Sequence, residues 1–461
     1  MKQNSSNSFL YLSATIANLL AFTCGVAYGW SSPAIPKLNG STDPNDLHLG
    51  SPITPSDESW IVSLVSIGAI FGPIFAGKLA DKLGRKKTLI ILACPILVAF
   101  LVMAFAKSVL EFYVARFLMG LGVGSVFMIL PMYLIEIAED HNRGRLGCLM
   151  AVFINLGTLF AYSAGPYLTV QSFCLVCTVP LIIFLPLFFI WNPESPQYLA
   201  ARNNQEQLKT CLSKLRNKPV GEIEKIMFGM SQMIQELNQN NGGIKELFST
   251  RSLRKGLTIT VGLILFQQFS GINAVLSYMQ TIFSATQSGL PPEISTVIVG
   301  TIQVLVTIVT SALVDRLGRK VLLLMSVSGS AVSLIALGVY FFLFDNHFNV
   351  DALSWLPVLS LIMFIISFNS GLASVPWAVM AEVFPPNVKS LALTLTTVVC
   401  FIGASIITLY FPSMALFFGM ATSFWIFAAV CICGGIFVFF RLIETKGKSL
   451  QEIQELLGNS T

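Results

Sequence analysis

Apolar runs as long as a bilayer core is thick recur down almost the whole chain, and nothing constrains the fold more. A helix needs about 20 mostly apolar residues to cross the hydrocarbon, where the backbone must satisfy its own hydrogen bonds. Windows of that length fall near 9–30, 59–80, 88–107, 110–138, 146–166 and 171–191. After a polar stretch over 192–254 they resume near 255–286, 294–314, 321–344, 354–384, 389–410 and 416–440. The pattern predicts an all-α membrane protein of twelve transmembrane helices in two six-helix halves. Composition agrees: charged residues make up 11% of the chain and hydrophobic ones 54%, against roughly 25% charge in soluble proteins. That scarcity excludes a soluble globular fold, intrinsic disorder, a disulfide scaffold and a DNA-binding domain. The first apolar run is too long for a cleaved signal peptide and lacks its basic leader.

The few charges are placed, not scattered. Lys78, Lys82, Arg85, Lys86 and Lys87 follow span two, and a basic series from Arg202 to Lys255 fills the central stretch. Arg143, Arg145, Arg316, Arg319, Lys320 and Lys389 follow spans four, eight and ten, while the opposite loops offer little beyond Lys37 and Lys107. The positive-inside rule therefore predicts that the basic loops and both termini are cytoplasmic. The net charge of +5 is then a topology signal, and no nucleic-acid partner is expected. On the predicted outer side, Asn39-Gly40-Ser41 is a candidate glycosylation sequon; similar matches at Asn4 and Asn459 fall on the predicted inner side. Cys174 and Cys177 form a C-x-x-C inside an apolar helix, and they read as small buried residues rather than a redox or metal pair. No metal or cofactor site is expected.

This divides the chain into a first half (1–191), a cytoplasmic linker (192–254), a second half (255–441) and a short cytoplasmic tail (442–461). Within the linker, Leu208, Leu212 and Leu215 share one helical face, and Ile223, Ile226, Met227, Met230, Ile234 and Leu237 share another. Short amphipathic helices lying against the bundle are predicted there, since so short a segment could bury little core as a separate domain.

The halves repeat one another. Asp81-Lys82-Leu83-Gly84-Arg85-Lys86 recurs 234 residues on as Asp315-Arg316-Leu317-Gly318-Arg319-Lys320. Glu136 precedes Arg143 by seven residues, as Glu382 precedes Lys389. Both pairs fall at matching turns of the two halves. Parallel six-span repeats with a site between them are transporter architecture. Channel filters have no counterpart here, and three His in all leave little for a membrane enzyme.

Gly77-x-x-x-Asp81-x-x-Gly84-Arg85-Lys86 resembles the signature loop of the major facilitator superfamily. Further segments resemble its sugar porter branch: Arg116 through Gly124, Pro131-x-Tyr133-x-x-Glu136 with Arg143-Gly144, and Pro193-Glu194-Ser195-Pro196. The set continues with Gln267-Gln268-Phe269-Ser270-Gly271-Ile272-Asn273, Pro376-Trp377-x-x-x-x-Glu382 and Glu444-Thr445-Lys446-Gly447. Phe153-Ile154-Asn155-Leu156-Gly157 and the short termini are most similar to the insect facilitated trehalose and hexose transporters.

The charged repeat has two readings. Asp81, Arg85, Glu136 and Arg143, with Asp315, Arg319, Glu382 and Lys389, form a network where helix ends converge; the alternative is simple snorkelling. The resemblance implies that such a network holds the cytoplasmic side closed while the outside is open. Gln267, Gln268 and Asn273 lie within two turns of one apolar helix, and amides suit sugar hydroxyls because each both donates and accepts. Their alternative is helix-to-helix glue. By resemblance, Gln303 and Asn369 occupy polar sugar-contact positions and Tyr278 that of a gating aromatic. Trp377 would offer a platform to a pyranose ring, or else ordinary packing beside Pro376.

Departures from the family pattern concern the substrate. Ala151 stands where mammalian-type glucose transporters carry a Gln, and Cys400-Phe401 where many sugar porters have Asn-Trp. Ala373-Ser374 replaces a Gly-Pro pair, and Ile443 the Pro expected before Glu444. Proton-coupled sugar porters usually carry an Asp in the first span; Phe9 to Trp30 contains no Asp, Glu or His. The reading is a plasma-membrane uniporter of a neutral sugar, glucose or trehalose, and not an enzyme. It needs no cofactor and no obligatory protein partner beyond the lipid bilayer. The alternatives are a proton-coupled symporter, disfavoured by the acid-free span, and a sugar sensor, disfavoured by the short tail.

Overall fold

The computed structural model describes residues 8–41, 48–139, 142–216, 220–239, 244–286, 289–313, 318–448 and 450–459. Among them the ordered elements are helical. The first half comprises α1 (Ser8–Gly29) with its short continuation α2 (Ser31–Leu38), α3 (Pro55–Leu83), α4 (Arg85–Phe105), α5 (Val109–Ile137), α6 (Arg143–Ala164) and α7 (Val170–Trp191). Four short helices follow: α8 (Pro196–Ala201), α9 (Gln205–Arg216), α10 (Val220–Gln239) and α11 (Ile244–Leu247). The second half begins with α12 (Arg251–Phe269), α13 (Ile272–Ser277) and α14 (Met279–Ser284), one span broken twice. Then come α15 (Pro292–Leu313), α16 (Arg319–Asp345), the broken pair α17 (Leu356–Ser370) and α18 (Val375–Val383), and α19 (Pro386–Arg441). A tail helix, α20 (Leu450–Asn459), ends the chain.

Helix α19 runs 56 residues, too long for one crossing, and Gly419 interrupts it at φ 80°, ψ 161°. Only glycine adopts that conformation without strain, so the chain reverses there and α19 supplies the last two spans. The count is twelve. The sequence placed a gap at 411–415; the backbone bridges it helically and turns later.

Each half is a bundle. In the first, α3 and α4 pack on α5, and α1 packs on α6 and α7. In the second, α16 packs on α17 and α19, and α12 on α19. The halves meet where α3 crosses α19 and α6 crosses α15. Side chains turned to lipid are large and apolar, such as Phe75, Phe189, Phe417 and Phe440, as expected where the solvent is hydrocarbon.

Linker helices α8, α9 and α10 lie on the basic end of the first half, while α11 packs on α19 of the second. Leu208, Leu212 and Leu215 of α9 and Ile223 of α10 are buried, and Arg216 donates to the Ala138 carbonyl at 2.7 Å. Helix α20 takes the matching place under the second half, where Gln454 donates to the Val383 carbonyl at 2.6 Å.

Candidate functional site

At the basic end of the first half, Gly84 turns the chain at φ 91° between α3 and α4. Arg85 then faces Glu136 near the end of α5. Its Nε donates to both carboxylate oxygens at 3.2 and 3.0 Å, and Nη2 adds a third bond at 3.0 Å. Asp81 stands 3.7 Å from Arg85 but is 78% exposed. Glu194 accepts the backbone N–H groups of Arg85 and Lys86 at 2.9 and 3.0 Å, a carboxylate on the positive end of a helix. Ser195 donates its hydroxyl to Glu136.

The second half repeats this wiring. Arg319 donates to Glu382 at 3.2 and 2.8 Å. Glu444 accepts the N–H groups of Arg319 and Lys320 at 2.9 and 3.0 Å, and Thr445 donates to Glu382 at 2.5 Å. Burial alone would raise the Glu444 carboxyl, but the N–H groups of Lys446, Lys320 and Arg319 and the Arg319 charge outweigh it, so it lies below the usual range. Glu194-Ser195 and Glu444-Thr445 are therefore a third repeated element. Sequence reading had them as two unrelated motifs. Each of these ion pairs lies inside its own half. Lys389 is exposed on the first turn of α19. Asp315 and the side chain of Arg143 lie outside the described residues.

Halfway through the bundle the amides converge. Asn273 donates to Gln268, which donates to Gln267 at 3.2 Å and to the Cys400 thiol at 3.1 Å. Gln267 donates onward to the Leu372 and Ala373 carbonyls at 2.6 and 3.2 Å. Those carbonyls lie in the break between α17 and α18, where helical partners are lost. The three amides are thus joined, and the donor of Gln267 holds the break. Trp377, half-buried, is the third residue of α18.

Gln303, Asn369 and two further residues form a second group. Asn155 of α6 donates to Thr307 of α15 at 2.7 Å and accepts from Gln303 at 3.0 Å. Thr307 reaches Asn369 at 3.3 Å. The Gln303 Oε1 atom is buried without a partner among the described residues. Sequence reading passed over Thr307 and quoted Asn155 only as a family cue. A lone amide in an apolar run was the signal for it. Across the cleft, Phe401 packs edge-on against Phe127 of the first half at 6.0 Å.

Tyr278, between α13 and α14, is buried; its hydroxyl donates to the Thr408 carbonyl at 3.0 Å. At the end opposite the basic one, Ser32 of α2 accepts the Gln280 N–H at 3.1 Å and Tyr162 of α6 donates to the Leu276 carbonyl at 2.7 Å. Both bonds join the halves. Asn39 accepts from Ser41 N–H at 3.0 Å in the turn after α2.

Arg116, also passed over as a single residue, is 1% exposed. It donates to the Ile61 carbonyl at 2.9 Å, the Ala27 carbonyl at 2.9 Å and the Ser31 hydroxyl at 2.7 Å, and stands over Trp30. These acceptors are neutral, and α1 offers no acid. The buried cation is satisfied by the carbonyls and hydroxyl of its neighbours.

Comparison with known proteins is consistent with this geometry. A family model described as "Sugar (and other) transporter" matches residues 11–457. The "Facilitated trehalose transporter Tret1" of Bombyx mori is 33% identical over 465 residues, covering 100% of this chain and 90% of the relative. That of Polypedilum vanderplanki is 32% identical, over 96% and 87%. Among solved structures, "Inward open conformation of the xylose transporter XylE from E. coli" aligns with a TM-score of 0.77 at 24% identity, over 97% of this chain and 99% of that one.

Proposed function

Because the chain belongs to the sugar transporter family, we propose that it carries trehalose or glucose down its gradient across the plasma membrane by alternating access. The basic end faces the cytoplasm on the charge rule. Both termini then lie inside and Asn39 outside, where it is open to glycosylation. No bond is made or broken in the cycle.

The observation that carries the reading is the polar cluster at mid-membrane depth. All five amides are uncharged: Gln303 and Asn369 belong to the group that bridges the two repeated halves, Gln267, Gln268 and Asn273 to the group within the second, and Gln303 keeps one buried acceptor free for a hydroxyl. Unpaired polar groups in that setting are costly, and a polyhydroxylated neutral solute supplies the missing donors. Trp377 adds an apolar face. The relatives' names favour trehalose.

The charge clusters serve the conformational cycle. Arg85 with Glu136, and Arg319 with Glu382, pin helix ends so that each half turns as one body, with Asp81, Arg143, Asp315 and Lys389 as the exchanging contacts. Tyr278 anchors α13–α14 on the second half while Ser32 and Tyr162 close the outer side. Passive transport is favoured over proton symport because Arg116 has neutral partners and the first span no acid.

Counterflow tests the substrate. Proteoliposomes preloaded with unlabelled trehalose should take up a transient excess of labelled trehalose. Counterflow with neither trehalose nor glucose would overturn the reading.

A further inference from the structure

The hydrogen bonds of Asn155 do more than decorate the cleft, because they cross it. Asn155 lies on α6 of the first half, and Gln303 and Thr307 lie on α15 of the second. Asn155 gives its N–H to Thr307 at 2.7 Å and takes one from Gln303 at 3.0 Å. The Thr307 hydroxyl has one proton, shared between the Gln303 carbonyl at 2.8 Å and Asn369 Oδ1 at 3.3 Å, and Asn369 donates to the Ile365 carbonyl at 2.8 Å. Gln303, Thr307 and Asn369 are all at least nine-tenths buried. The bridge exists together with the closed outer contacts of Ser32 with Gln280 and Tyr162 with Leu276.

We infer that Asn155 is a positioning residue which, through this bridge, holds the empty carrier in its outer-closed form. The inference rests on the sugar-uniport reading. The bridge consists wholly of protein groups, so closing on it needs no sugar. A uniporter must make that closure, since its empty form has to cross back in every cycle of net transport. A sugar hydroxyl bound at Gln303 or Asn369 offers the same kind of partner that Asn155 offers, so the loaded carrier depends on the bridge less. A contact worth more to one state than another shifts their populations by that difference.

The consequence has a sign that an ordinary sugar contact would not give. External sugar binds only the outward-open form, so its apparent affinity is reduced by the fraction of carrier held closed. Asn155→Leu keeps the size and shape and removes both bonds. The half-saturation concentration for external sugar should fall by about fivefold to a hundredfold, given two ordinary hydrogen bonds. That for internal sugar should rise, and equilibrium exchange should continue. Thr307→Val, which removes the hydroxyl alone, should shift both constants in the same directions by less.

Both constants are measured with labelled glucose and labelled trehalose in proteoliposomes of sorted orientation, alongside wild type. If both constants rise, Asn155 is a sugar contact and the inference falls. It also falls if neither moves in either variant. Should wild type carry neither sugar, the uniport reading has failed and the inference with it. If Asn155→Leu does not reach the membrane, Thr307→Val decides by the same signs.

Discussion

The basic ends of the two halves carry the same wiring under different cover. In both, an arginine at a helix start grips a glutamate near the end of the next span, a second glutamate caps that helix start, and a hydroxyl closes the ring. The first pair is the deeper: the Glu136 side chain is 5% exposed, Glu382 28%. The turn differs as well. Gly84 sits at φ 91°, whereas Gly318 has the ordinary φ of −67°. Repetition of the motif thus preserves who bonds to whom, while burial depends on what lies over each end: α8, α9 and α10 on one side, α11 and α20 on the other.

Removing a charge should separate the halves most. Glu136→Gln leaves Arg85 buried without its counter-charge, which costs about 3 kcal/mol by analogy with broken buried pairs. Glu382→Gln, at a wetter pair, should cost about 1 kcal/mol. Thermal unfolding of purified protein checks the order; equal losses would mean the two pairs are equally buried in effect.

Adding a methyl should sharpen it. Alanine at Gly84 meets a positive φ that costs about 1–2 kcal/mol, and its Cβ would lie 2.3 Å from the Glu194 carboxylate. Alanine at Gly318 meets only the Glu444 carboxylate, at 2.5 Å. Gly84→Ala should therefore melt lower than Gly318→Ala in the same assay.

Asp81 tests mechanism rather than stability. It is exposed, so Asp81→Asn should change stability by under about 1 kcal/mol. Uptake should still fall several-fold at unchanged surface level if the network switches with the conformational cycle. Unaltered kinetics would remove that role.

The smallest effect is expected from pH. The Glu444 carboxyl is held below its usual value, so its contribution is complete above the unfolded value of about 4.3 and is lost only as pH falls through the lowered one. Acidifying from pH 7.5 to 5.5 should leave the second cluster intact and uptake level.

Much of this was readable beforehand. The span count, the duplication and the amide cluster follow from periodicity, charge placement and spacing. The pairing of Glu194 with Arg85 and of Glu444 with Arg319 did not, because those residues are over a hundred positions apart in sequence and meet only when helices bundle. Asn155 repeats nowhere and has no charge, so its role emerges only when α15 is laid across α6. Gln267 was readable as a polar group, but not that its donor serves the α17–α18 break. The helical bridge over 411–415 escaped because Phe411-Pro412-Ser413 resembles a turn, while the tertiary fold holds it helical.

Passive movement is decided by the steady-state accumulation ratio. Proteoliposomes in labelled sugar with an imposed inward proton gradient should settle at equal internal and external concentration, as they do without the gradient. Accumulation above unity that appears with the gradient and collapses with an uncoupler would contradict it.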